Sequence, residues 1–166
     1  MRMSSREPEF EVAVSMVVNG EPVSCRVSAR QHLADFLREE LSLTGTHLGC
    51  EHGVCGACAV RVDGQVVRGC LMLAAQVHGC QVETIEGLSD AGVLADLQEE
   101  FLRRNAAQCG FCTAGMLLTS HELIEQGRCV SRSDIREVLS GNLCRCTGYQ
   151  AIVDAVEAAM TKKVGS

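Results

Sequence analysis

Eleven cysteines occur in this chain of 166 residues, and eight of them fall into two spaced sets. Cys50, Cys55, Cys58 and Cys70 read C-x4-C-x2-C followed by a distant fourth cysteine, the plant-type spacing for a 2Fe-2S cluster. Cys109 with Cys112 makes a C-x2-C, and Cys144 with Cys146 makes a C-x-C. Soft thiolates select iron-sulfur clusters or zinc. Zinc sites usually present two paired C-x2-C knuckles, whereas the first set has one ligand four residues away in a glycine-rich loop. Gly49, Gly53 and Gly56 let that loop turn through positive φ and bring N–H groups toward sulfur. Such bonds stabilise added negative charge and raise a reduction potential. In the second set Cys112 directly precedes one expected helix, and Cys146 precedes Thr147, the expected cap of another. Two helix N-termini would then favour thiolate and an anionic cluster.

Cys25, Cys80 and Cys129 are left over. Cys25 lies on an alternating strand and reads as a small core hydrophobe. Cys80 competes with Cys70 as fourth ligand of the first set; Cys70 is preferred because it directly follows a hairpin. Cys129 falls in a polar loop and reads as a bystander. His52 lies inside the first cysteine loop, but a Rieske-like centre needs two histidines in place of two cysteines. His32, His47, His78 and His121 read as surface or loop residues. Arg145, between two cysteines, either offsets cluster charge or is an ordinary exposed arginine. No G-x-G-x-x-G follows a strand and no phosphate-binding lysine loop is present, so no substrate, flavin or nicotinamide site is visible.

The elements that position these residues change character near Gly87. Val12, Val14, Met16 and Val18 alternate up to Asn19-Gly20, and Val23, Cys25 and Val27 alternate after it, which predicts a β-hairpin. A capping box from Ser28 to Gln31 would open a helix bearing Leu33, Phe36, Leu37 and Leu41. The loop from Thr44 to Cys58 leads to a second hairpin around Asp63-Gly64, and Val82 to Ile85 reads as a closing strand. Beyond Gly87 only helical spacing remains. One helix, capped by Ser89 or Asp90, carries Leu94, Leu97 and Phe101. A second carries Ala114, Leu117, Leu118 and Ile124. A Ser131–Asp134 capping box opens a third with Ile135, Val138 and Leu139, stopped at Gly141-Asn142. Thr147 and Gln150 cap a fourth bearing Ile152, Val153, Val156 and Met160, and Lys162 to Ser166 reads as a frayed tail. The expected class is α+β, with a sheet-containing unit at 1–86 and a four-helix-bundle unit at 87–166.

Composition narrows the function classes. Hydrophobic residues are 46% and charged residues 22%, a globular profile. Aromatics are only 3%, with no Trp and one Tyr, so base-stacking platforms are missing. A net charge of -6 disfavours nucleic acid and anionic membranes. No apolar run suits a membrane span, and the first ten residues lack the apolar stretch of a signal peptide. A cytoplasmic location is therefore expected, and in that reducing compartment dense cysteine binds metal or is catalytic.

The segments CEHGVCGACAVRVDGQVVRGC, QCGFCTAGM and GNLCRCTGY resemble the small iron-sulfur subunit of the molybdenum hydroxylases, the xanthine dehydrogenase and aldehyde oxidoreductase family. The resemblance extends over residues 10–160. It implies a plant-ferredoxin-like β-grasp domain followed by a four-helix domain, each holding one 2Fe-2S cluster. It implies Cys50, Cys55, Cys58 and Cys70 as ligands of the first cluster and Cys109, Cys112, Cys144 and Cys146 as ligands of the second. Gln108 and Cys146 would approach the molybdopterin of a large subunit, and the first cluster would face FAD in a medium subunit. The implied function is an electron relay in a dimer of heterotrimers, with the hydroxylation chemistry on partner chains. The rival readings are a free-standing ferredoxin and a zinc-stabilised interaction module.

Overall fold

Alternating apolar residues and two left-handed turns build the first half. The computed structural model describes residues 10–127 and 131–164, so Cys129 lies outside the described residues. Strand β1 (Glu11–Val18) pairs antiparallel with β2 (Glu21–Ser28). Asn19 (φ 50°) and Gly20 (φ 85°) form the connecting turn, the two-residue geometry that matches strand twist. The second hairpin repeats the device: β3 (Ala59–Val62) and β4 (Gln65–Arg68) flank Asp63 (φ 48°) and Gly64 (φ 81°). Strand β5 (Gln81–Glu83) runs parallel to β1 and antiparallel to β3, giving the sheet order β2-β1-β5-β3-β4. Val14, Met16, Val18, Val27, Val60 and Val82 point to one face, where Leu33, Phe36 and Leu37 cover them.

Helix α1 (Leu33–Asp35) runs directly into a π-helical turn at Phe36–Glu40. Its cap is His32, whose Nδ1 accepts from the Asp35 N–H at 3.0 Å. The expected Ser28–Gln31 box does not form. A turn at Ala29–Arg30 closes with Gln31 N–H on the Ser28 carbonyl; the Gln31 carbonyl accepts from Ala74 N–H and His32 bridges Leu73, which delays the helix until after residue 32. Two further expectations shift around residue 85. Ile85 does not close the strand but begins a short helix, α2 (Ile85–Asp90), because Asn19 and Glu86 engage Thr84 and end the ladder there. Ser89 and Asp90 therefore end α2. Helix α3 (Ala95–Arg103) starts from Leu94, with Gly92 (φ 72°) in the intervening turn.

Three more helices complete the second half: α4 (Thr113–Glu125), α5 (Arg132–Leu139) and α6 (Gln150–Val164). The bundle expected from spacing is thus made by α3 to α6, with α2 as an unforeseen lead-in. Leu97, Phe101, Met116, Leu118, Ile135, Leu139, Ile152 and Val156 fill its core. Helix α6 is longer than expected, since Lys162 is held by Glu99 (2.8 Å) and Glu100 (2.9 Å) rather than frayed. His121 also departs from its expected surface position; it is buried on α4 and paired with Glu125 at 3.3 Å.

The Ser131–Asp134 box forms as expected. Ser131 Oγ accepts from Asp134 N–H at 3.3 Å, and Asp134 Oδ2 accepts from Ser131 N–H at 2.7 Å. That N–H and the Ser131 hydroxyl hold the Asp134 carboxyl below its ordinary value. A carboxylate lowered by folding stabilises the fold above its unfolded pKa and stops doing so as the pH falls through its folded one. Ser131→Ala should lower Tm by about 2–4 °C at neutral pH. In thermal melts its deficit against the parent should shrink on acidification through the aspartate range.

Contacts between the halves are polar as well as apolar. Arg61 on β3 meets Glu83 on β5 at 3.4 Å and Glu125 on α4 at 3.3 Å. Val66 N–H on β4 donates to Glu122 Oε1 on α4 at 2.7 Å. These contacts set the sheet against α4, at whose N-terminus Cys112 sits.

Candidate metal centres

The first cysteine loop is held from three sides. Arg38 donates to the carbonyls of Thr44 (2.7 Å) and Thr46 (2.8 Å). Glu86 on α2 accepts from Gly45 N–H at 2.7 Å. Ala34 N–H donates to the Gly69 carbonyl and Gly69 N–H to the Cys58 carbonyl, so α1 and the end of β4 bring Cys70 beside Cys58. Gly53 (φ 84°) and Gly56 (φ 74°) take the left-handed turns expected of them. Gly49 does not. Its lack of a side chain serves close approach instead, since a β-carbon there would stand 3.1 Å from Cys55 Sγ and 3.3 Å from the Phe111 ring.

The eight thiols come together two by two. Cys50 Sγ accepts from Cys55 N–H at 3.3 Å and hydrogen-bonds the Cys55 side chain. Cys58 pairs with Cys70, Cys112 with Cys144, and Cys146 Sγ lies 3.6 Å from Cys109 Sγ. Neighbouring pairs sense each other electrostatically, Cys55 acting on Cys58 and Cys109 on Cys112. All eight are free thiols. Among the described residues, no three His, Cys, Asp or Glu side chains form a group suited to one metal ion. The arrangement is two thiols, then two more alongside.

Their acidities follow their surroundings. Backbone N–H bonds from His52 and Cys55 lower Cys50 to about 6. Burial pushes Cys58 up to about 11, reinforced by the Cys70 thiol. Burial likewise pushes Cys112 up to about 12, with Cys144 adding to it. Burial also acts upward on Cys144, but the Thr147 hydroxyl and the N–H groups of Thr147 and Cys146 outweigh it, and the thiol ends below its ordinary value. Cys146 is raised, first by its hydrogen bond with Cys109. Buried thiols crowded against one another are costly to ionise unless a cation compensates. Bound iron would supply that compensation, and the N–H groups aimed at sulfur suit an anionic cluster. The donor set therefore fits 2Fe-2S groups.

The remaining candidates are scattered around these pairs. Cys80 is not with them; its thiol hydrogen-bonds Asp63, which raises its pKa. Cys25 packs half-buried against the sheet core, and burial raises it too. His52 hydrogen-bonds the Cys50 carbonyl through Nδ1. His47 stacks on Phe111 with ring centroids 4.8 Å apart and bonds its carbonyl at 2.8 Å, tying the first cysteine loop to the second. His78, exposed, accepts from Ser15 N–H. Gln108 and Arg145 are exposed beside Cys109 and Cys146. Thr147 does not cap α6 directly. Its Oγ1 accepts from Tyr149 N–H at 3.2 Å and contacts Cys144 Sγ at 3.2 Å, while Gly148 and Tyr149 take left-handed φ before the helix begins.

One group escaped sequence reasoning. Asn142, which reads only as a helix stop, is 1% exposed and meets Arg68, Thr119 and the Gly56 carbonyl. The single Tyr, Tyr149, accepts from Cys144 N–H at 2.8 Å and donates to the Asn142 carbonyl at 3.2 Å. A lone tyrosine three residues past a C-x-C was the available signal, since a partly buried phenol still finds a polar partner. Leu143 N–H donates to the Cys55 carbonyl at 2.8 Å. The two cysteine loops thus touch directly.

Known proteins share this pattern. Residues 16–83 match a 2Fe-2S iron-sulfur cluster binding domain and residues 84–157 a second 2Fe-2S binding domain. The chain is 53% identical over 154 residues to the nicotine 6-hydroxylase small subunit of Paenarthrobacter nicotinovorans, covering 93% of each. It belongs to the iron-sulfur small subunits of the molybdenum hydroxylases. It is also 49% identical to the caffeine dehydrogenase subunit gamma of a Pseudomonas species, covering 87% of this chain and 89% of that one. Among solved structures, quinoline 2-oxidoreductase from Pseudomonas putida 86 superposes with a TM-score of 0.87 at 49% identity, over 93% of this chain and 96% of that chain. As a molybdenum-hydroxylase iron-sulfur subunit, this chain serves electron transfer in a multi-subunit oxidoreductase rather than acting as a free ferredoxin. It carries two 2Fe-2S domains, and among the described residues no helix is long and apolar enough to cross a membrane.

Proposed function

We propose that Cys50, Cys55, Cys58 and Cys70 ligate one cluster and Cys109, Cys112, Cys144 and Cys146 the other, in units divided at residues 86 and 87. The observation that carries this reading is the pairing of the thiols. A 2Fe-2S cluster asks two cysteines of each iron, whereas zinc asks four ligands of one ion. Each bound cluster accepts and releases one electron. The chain's own part is to hold the sulfurs, aim N–H groups at them and fix the distance between the two sites.

Electrons enter on the helical side, where exposed Gln108 and Cys146 approach the molybdopterin of a large subunit. They leave through the first site to FAD in a medium subunit, within a dimer of heterotrimers in the cytoplasm. The names of the relatives cited above specify nicotine, caffeine and quinoline, all nitrogen heterocycles. That supports an N-heteroaromatic substrate for the complex this chain serves.

Anaerobic purification tests the reading. Each chain should carry about four irons and about four acid-labile sulfides, and should copurify with molybdopterin- and FAD-binding chains. A colourless, zinc-loaded protein running alone would overturn it. An N-heteroaromatic should bleach the visible iron-sulfur absorbance of the complex faster than an aldehyde; the reverse order would overturn the substrate class alone.

A further inference from the structure

We propose that Asn142 is the positioning residue for electron passage between the two cysteine sites, because its side chain holds the hydrogen bond from Leu143 N–H to the Cys55 carbonyl. This rests on the cluster assignment above. From Cys144 the route crosses one peptide to Leu143, one hydrogen bond of 2.8 Å to the Cys55 carbonyl, and then the bonds of Cys55 itself. It contains no through-space gap. Electronic coupling decays far more steeply across a gap than along bonds or a short hydrogen bond, so the placement of this contact controls the rate. One electron leaves the site held by Cys144 and reduces the site held by Cys55; no bond forms or breaks and no proton moves.

Asn142 grips the contact from both sides. Its Nδ2 donates to the Gly56 carbonyl at 3.4 Å, next to Cys55. Its Oδ1 accepts from Thr119 Oγ1 at 3.2 Å and Arg68 Nη2 at 3.3 Å. Its carbonyl accepts from the Tyr149 hydroxyl, which in turn accepts from Cys144 N–H. Arg68 adds a 2.6 Å bond to the Gly141 carbonyl. A helix stop needs none of this. A buried amide using both of its ends is a costly group that specifies one arrangement, and the arrangement here is the register of the two cysteine loops.

Asn142→Asp keeps the shape but sets an oxygen against the Gly56 carbonyl. Thr119→Val is a milder probe of the same clamp. In the assembled complex, a one-electron pulse followed by visible absorbance and rapid-freeze EPR reads the rate at which the two sites equilibrate. Asn142→Asp should retain both reduced-site EPR signals, slow equilibration about tenfold or more, and change the magnetic splitting between the sites. Thr119→Val should slow it by a smaller but measurable factor. An unchanged rate in Asn142→Asp overturns the proposal, as does a slowing fully accounted for by shifted midpoint potentials. Should Asn142→Asp fail to assemble, an unchanged rate in Thr119→Val overturns it equally. Absence of any iron signal in the parent would sink the cluster assignment instead.

Discussion

In the assembled complex, Cys109→Ser is expected to erase one of the two reduced-state EPR signatures and to cut turnover by on the order of a hundredfold or more. The position isolates the chemistry from the packing. Cys109 is exposed and touches Cys146 at 3.6 Å, so its loss opens no cavity, unlike a change at buried Cys58. Serine keeps the shape but replaces the soft thiolate that iron-sulfur chemistry needs. The remaining signature belongs to the site around Cys50, whose loop is held independently by Arg38 and Glu86. Substrate should still reduce the molybdenum centre of the complex while electrons fail to reach the flavin. Stopped-flow absorbance separates the two events. Persistence of both EPR signatures would contradict the assignment of Cys109 as a ligand.

Gly115→Ala carries the largest expected effect on stability. In an exposed helix interior alanine would stabilise by roughly 1 kcal/mol. Here a β-carbon would stand 2.3 Å from the Gly56 carbonyl oxygen, a backbone atom that cannot swing away. Helix α4 must then withdraw from the first cysteine loop, and the overpacking outweighs the propensity gain by about 2 kcal/mol or more. Tm should fall by about 4–8 °C. Both iron-sulfur signals should weaken together, since Gly56 lies between Cys55 and Cys58 while Gly115 follows Cys112 by one turn. Gly20→Asn is the contrast: the turn is left-handed, but nothing lies within 4 Å of the added carbon, and Asn tolerates that conformation. A Gly115→Ala protein as stable as the parent would mean the seam is looser than the structure describes.

The sequence revealed the features governed by local rules. Both hairpins were legible because Asn19-Gly20 and Asp63-Gly64 demand one turn type. Cysteine spacing singled out the eight thiols that the fold brings together in pairs. Failures cluster where a distant partner decides the outcome. Ser28 loses its capping role because residue 31 is claimed by Ala74, and Thr84 ends β5 because Asn19, 65 residues away, engages it. His121 looks like any helix-surface histidine, yet folding buries it and pairs it with Glu125. Asn142 does follow the end of its helix as expected, but its further role was hidden for the same reason. Its partners Gly56 and Arg68 lie 86 and 74 residues distant, beyond the reach of any pattern confined to a window. Helix α2, only six residues long, is too short to show periodicity.

The Gly56–Gly115 approach has a consequence for protein engineering. Two backbones fitted to within a carbon's width leave no tolerance for a foreign counterpart. Chimaeras that splice the ferredoxin-like half of one such subunit to the helical half of another must keep glycine at the position of Gly115, where a β-carbon would meet the opposing backbone. The electron relay of one such enzyme is therefore better grafted into another by exchanging this polypeptide whole.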